Sequence, residues 1–146
     1  MELSLKSEYA ILAMLELANH FAIDQPLQIR QIANQQNIPD RYLEQLLATL
    51  KRQGLVKSQR GAKGGYILAR PPREISLLEI IRGIEGYDPI AEKSGKSGNE
   101  SASLSVIHEV WESSQNAASN VLDACTLNDL CDRQRQRQIA TTMYYI

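Results

Sequence analysis

Cysteine is almost absent from this chain. Only Cys125 and Cys131 occur among 146 residues, too few for a secreted disulfide framework, and their spacing is not the C-x-x-C of most small metal or redox sites. Free thiols are expected. No run of 18 or more apolar residues occurs, and the amino terminus MELSLKSEYA has no basic region leading into a continuous apolar stretch, so no membrane span or targeting segment is expected and the protein should be soluble and cytoplasmic. Histidine is equally sparse. His20 and His108 fall on different expected helices, and H-E-x-x-H, G-x-S-x-G and G-x-G-x-x-G are all missing, which argues against an enzyme. The stretch GKS at 95–97 is preceded by Ile90 where a P-loop requires glycine, which excludes a nucleotide site there.

The net charge is only minus 1, but it is unevenly spread. Residues 41–73 carry eight basic side chains against Glu44 alone, a net of plus 7, whereas 1–40 carry minus 3 and 74–146 minus 5. A basic island in an acidic chain concentrates positive potential on one surface and suits a polyanion; a solvated charged face is the alternative reading.

Apolar spacing divides the chain into helices. Ile11, Met14, Leu15 and Ala18 share a face of a helix over 4–20, Ile29, Ile32 and Ala33 a face of a short second one, and Leu43, Leu46, Leu47 and Leu50 form the stripe of a third that starts at Asp40 as cap and stops at Gly54. The last two have the proportions of a helix-turn-helix. Leu55–Lys57 and Tyr66–Leu68 then read as strands of a hairpin around SQRGAKGG, so the expected fold is mainly α with a small β-hairpin, a winged helix-turn-helix. Ser76 and Glu79 match a capping box, with Ile75 and Ile80 placed as a staple, for a fourth helix ending near Gly86. A polar loop over 87–103 precedes a long helix from Leu104 bearing Ile107, Val110, Trp111, Ala118, Val121, Leu122 and Cys125, an apolar face that pairing with a second copy would cover. Thr126 and Asp129 can cap a last short helix. The expected division is a DNA-binding domain over 1–86, a flexible loop over 87–103, and a dimerisation helix with its tail over 104–146.

In a helix-turn-helix the start of the second helix enters the major groove. Arg41 there can match guanine or a phosphate, Gln45 adenine, Glu44 cytosine, and Tyr42 a phosphate or a thymine methyl; each could equally be a solvated first-turn residue, and Tyr42 a core residue. In the hairpin, glycines would let backbone approach phosphate while Arg60 and Lys63 supply charge, Arg60 entering the minor groove. Lys51, in the same basic segment, is counted with them as a DNA contact.

YLEQLLATLKRQGLVKSQRGAKGGYILAR, LKSEYAILAML and ISLLEIIRGIEG together resemble the bacterial Rrf-two regulators, which include the iron-sulfur cluster assembly regulator and the cysteine metabolism regulator. The likeness spans residues 1 to 86 and continues more weakly through VIHEVW at 106–111. It implies a homodimeric winged-helix transcription factor, usually a repressor, that binds double-stranded palindromic DNA and dimerises through its long carboxy-terminal helix. The family's base-reading positions fall on Arg41, Tyr42, Glu44 and Gln45, and its wing arginine on Arg60. Members that sense through an iron-sulfur cluster carry three cysteines in the loop before the long helix, and residues 87–103 hold none; His108 matches a position that can assist cluster ligation, but a lone imidazole cannot hold a cluster. No cofactor is therefore expected, and the signal would be a protein partner or small metabolite that no residue identifies. Two other readings stay open: a redox or metal sensor using Cys125 and Cys131, and a protein-interaction module for which DNA is irrelevant.

Overall fold

The structure, a computed structural model, describes residues 2–86, 90 and 98–144. Most of the expected polar loop, with its GKS stretch, and the last two residues of the tail lie outside the described residues.

Among the described residues, six α-helices and one hairpin follow in the order α1 (Leu5–Asn19), α2 (Ile29–Gln36), α3 (Asp40–Arg52), β1 (Val56–Gln59), β2 (Gly65–Leu68), α4 (Leu77–Glu85), α5 (Ala102–Ala124) and α6 (Leu127–Tyr144). β1 and β2 pair antiparallel, Val56 opposite Leu68 and Gln59 opposite Gly65. The hairpin gains a third edge, because Leu27 N donates to Tyr66 O at 3.0 Å and Tyr66 N to Leu27 O at 2.8 Å, which fastens the segment before α2 to the base of the wing. A single core collects Met14, Ile32, Leu43, Leu47, Leu50, Leu55, Ile75, Ile80 and Leu127.

The stripe of α3 is buried as its spacing predicts, and its end is a Schellman motif in which Gly54 N donates to Lys51 O and Leu55 N to Leu50 O, with Gly54 at φ +76°. Its start differs from expectation. Pro39 is the cap residue and Asp40 the first helical one, with no side-chain capping bond, so Asp40 acts only as a negative charge beside the positive helix end.

The face of α1 is shifted only in part from the expected one, with Met14 and Ala18 of it buried. Ala10, Ala13, Met14 and Leu17 are buried, while Ile11 and Leu15 pack on the edge of the core, since two alanines let neighbouring helices approach closely where bulkier residues would hold them off. At α4, Ser76 Oγ accepts from Glu79 N at 3.1 Å and Ile75 and Ile80 are fully buried. The Glu79 carboxylate does not complete the box but pairs with Arg70.

The apolar face expected on α5 splits in two. Ala118, Leu122 and Cys125 turn toward the body, where α5 packs on α4, whereas Val110, Trp111 and Val121 are 64%, 60% and 69% exposed. Leu77 N donates to Cys125 O and Leu127 N to Ile75 O, both at 2.9 Å, pinning the α5–α6 elbow to the start of α4. Thr126 and Asp129 cap α6 reciprocally, at 3.0 and 3.2 Å. Rather than short, α6 runs for 18 residues.

Candidate nucleic-acid interface

Burying Leu43, Leu46, Leu47 and Leu50 turns the opposite side of α3 to solvent, and there Arg41, Glu44, Gln45, Lys51 and Arg52 are exposed. Arg41, Glu44 and Gln45 thus lie together at the outward first turns. Tyr42 is placed differently. It is half-buried, packs against the core and meets Tyr9 of α1 edge to face, with ring centroids 5.6 Å apart at 77°, so its ring sets the docking of α3 on α1.

Lys51 Nζ donates to Ser58 Oγ of β1 at 2.7 Å, tying the far end of α3 to the wing. Arg52 lies back along its own helix on Thr49 Oγ1 at 3.1 Å, and Arg70 is occupied by Glu79 and the Glu74 carbonyl. What remains of the basic island is sharper than the sequence suggests. Arg41, Lys57, Arg60, Lys63 and Arg73 are exposed, and none has an ion pair among the described residues.

The wing glycines have internal reasons. A Cβ on Gly64 would sit 2.3 Å from Gln59 O, inside the turn closed by Gly64 N on Gly61 O. On Gly65, at φ +150°, it would sit 2.4 Å from Leu27 O, the strand partner beneath. Both glycines are fixed by close backbone packing, to which the side chains of Arg60 and Lys63 at the turn do not belong.

One further cation, which the sequence pattern does not single out, stands beside the wing. Arg30, exposed near the start of α2, shares with Lys63 a cleft of about 620 Å³ that is also lined by Asp24, Gln28, Asn34 and Gly64. Along the chain it belongs to an acidic segment; the Leu27–Tyr66 pairing helps bring it to the hairpin.

A cofactor of the three-cysteine kind does not fit these residues. Cys131 is 2% exposed, and burial pushes its thiol above the ordinary cysteine range. Cys125 Sγ is half-buried and directed at Thr126 O, 3.9 Å away. His108 is in contact with the Glu100 carboxylate, and among the described residues no three His, Cys, Asp or Glu side chains converge.

A helix-turn-helix with a polar, cationic outer face, followed at once by a basic hairpin, defines a winged-helix DNA-binding protein. Comparison with known proteins makes this specific: residues 3–133 match the family Rrf2, described as "Iron-dependent Transcriptional regulator", and the chain belongs to that family. The HTH-type transcriptional regulator CymR of Bacillus subtilis is 38% identical over 146 residues, covering 100% of both chains. The HTH-type transcriptional regulator IscR of Aliivibrio salmonicida is 33% identical over 140 residues, 96% of this chain and 83% of that one. Among solved structures, CymR of B. subtilis, described as the global cysteine regulator, superposes with a TM-score of 0.80 at 37% identity, over 91% of this chain and 98% of that one. T. potens IscR gives 0.76 at 40% identity, over 94% and 91%. The chain is a transcriptional regulator of this family and not an enzyme.

Proposed function

We propose that the protein works as a homodimer that binds a palindromic operator, with α3 in the major groove and the wing in the minor groove, and represses transcription. The observation that carries this reading is a set of exposed polar side chains that the fold itself does not use. These are Arg41, Glu44 and Gln45 on the outer face of α3, and Arg60 and Lys63 on the wing. Lys51 joins them while it braces the wing, and Tyr42 contributes chiefly by orienting the helix. The dimer is supported by the exposed Val110, Trp111 and Val121 of α5, an apolar strip on which a second α5 would close. On this reading residues 1–86 bind DNA, 87–103 connect, and 104–146 dimerise.

The proposal includes operation in the cytoplasm without a three-cysteine cluster, the signal being a protein or small metabolite. The absence of cysteine from 87–103 supports the cluster-free reading, and no helix among the described residues is long and apolar enough to cross a membrane.

Fluorescence anisotropy of the purified protein on duplexes from its own promoter, over a salt series, tests the reading. Binding should fall with salt at a log-log slope of roughly minus 0.9 per phosphate neutralised, on half-sites about one helical turn or a multiple apart. Arg60→Ala should weaken binding and flatten the slope, while Arg41→Ala and Gln45→Ala should change base preference by about 1–3 kcal/mol at one position. Indifference of the wild-type protein to duplex DNA at low salt would overturn it.

A further inference from the structure

A duplex held by a helix in its major groove and a loop in the adjacent minor groove leaves one strand of phosphates running between the two grips. The cleft between α2 and the wing lies beside those grips, bounded by the 24–28 segment, α2 and the wing turn, with no α3 residue in its lining. α2 packs on α3 on one side, and the Leu27–Tyr66 bonds hold β2 on the other. Two cations from distant parts of the chain, Arg30 and Lys63, line this cleft together with the amide side chains of Gln28 and Asn34. Neither cation has an ion pair among the described residues. The carboxylate lining it is Asp24, held at φ 51° in the left-handed region.

We propose that this cleft seats a backbone phosphate of the bound duplex, with Arg30 and Lys63 as its charge partners and Asp24 as a tuning charge that weakens the grip. The inference rests on the DNA-docking reading above and adds a site to it. Guanidinium and ammonium groups on separate elements, with amide donors between them, match a phosphodiester oxygen pair, and such contacts fix register on the duplex without reading bases. Asp24 sets the opposite sign: its carboxylate repels phosphate, so affinity is held below what Arg30 and Lys63 alone would give.

Binding to a mixed-sequence duplex over a salt series separates these roles, because a backbone contact is blind to base order. Arg30→Ala should bind more weakly and with a log-log salt slope flatter by roughly 0.9, the value of one phosphate, at unchanged melting temperature, and Arg30→Lys should keep the wild-type slope. Asp24→Asn, which keeps a residue type that tolerates the left-handed conformation, should bind more tightly than wild type. An Arg30→Ala protein with wild-type affinity and slope would overturn the proposal, as would an Asp24→Asn protein that gains nothing. Inorganic phosphate replacing chloride at equal ionic strength should weaken duplex binding by wild type more than by Arg30→Ala, since both anions contend for one seat; equal effects on the two proteins would count against the site. If wild type ignores the duplex, the docking reading fails with it; if wild type binds and Arg30→Ala is silent, this inference alone fails.

Discussion

Ser7 Oγ donates to Glu85 Oε1 at 2.8 Å, joining the first turn of α1 to the last residue of α4 across 78 positions of sequence. Ser4, the cap of α1, donates to the same oxygen while its own Oγ accepts from Ser7 N at 3.1 Å, and Lys6 Nζ lies 3.7 Å from Glu85 Oε2. A carboxylate at the negative end of α4 is poorly placed for its own helix but well placed for the positive end of α1. The contact therefore locks the amino terminus of the winged domain to the helix that leads toward α5.

From that geometry follows an acid sensitivity. The Ser4 and Ser7 hydrogen bonds, with Lys6 behind them, hold the Glu85 carboxyl below its ordinary value of 4.5. A group depressed on folding contributes stability that is complete above the unfolded value and is lost as pH falls from there through the lower folded value. Glu85→Gln should thus lower stability by about 1.5–3 kcal/mol at neutral pH, the range for hydrogen bonds to a charged group, and remove part of the decline below pH 4.5. Urea melts at neutral and acid pH check it; equal losses at both would mean that the charge does not matter.

Gly65→Ala should damage the wing from beneath. The new Cβ would lie 2.4 Å from Leu27 O, a rigid backbone atom, so the Leu27–Tyr66 pairing must open. A loss of about 1–3 kcal/mol, typical of a strained backbone position, should come with weaker DNA binding although no cation is touched. Thermal melts together with anisotropy measure both, and wild-type values for both would show that the third edge is dispensable.

Whether a feature is legible in the sequence depends on whether its cause is local. The leucine stripe of α3, its Gly54 stop, the Ser76 cap and the hairpin all arise within a few residues, and spacing exposes them. The buried face of α1 is only partly legible in this way, because Met14 and Ala18 are buried as their spacing suggests while close helix approach seats the small Ala10 and Ala13 where Ile11 and Leu15 stay at the edge. Likewise Gly65 answers to Leu27, and Glu79 prefers Arg70 to its own helix cap; both partners come from outside the element concerned. Of the candidate site residues, Arg41, Glu44, Gln45, Arg60 and Lys63 are exposed as expected, whereas the anchoring of Tyr42 on Tyr9, the Lys51–Ser58 brace and the position of Arg30 need the third dimension.

Trp111 gives the dimer its sharpest test. At 60% exposed it leaves most of its surface to solvent, so Trp111→Ala should change the melting of the monomer fold little. If a second α5 covers it, the same change should weaken association by about 2 kcal/mol or more, as central aromatic anchors do. Sedimentation equilibrium across a concentration series reads the difference, with operator affinity expected to fall in parallel. A dissociation constant equal to wild type would move the interface off this face.

The two thiols should differ in reactivity, and the difference bears on whether they sense anything. Thiolate is the reactive form; burial raises the Cys131 thiol, with Asp132 and Glu16 adding to the effect and Arg135 opposing it, so this residue should resist alkylation at neutral pH until the fold opens. Cys125, half-buried at the α5–α6 elbow, should react first. Mass spectrometry after timed iodoacetamide treatment distinguishes them. If Cys131 labels as fast as Cys125 in folded protein, burial does not protect it; if anaerobically purified protein holds stoichiometric iron and sulfide that vanish in a Cys125→Ser, Cys131→Ser double variant, the thiols belong to a sensor and the cluster-free reading of this regulator fails.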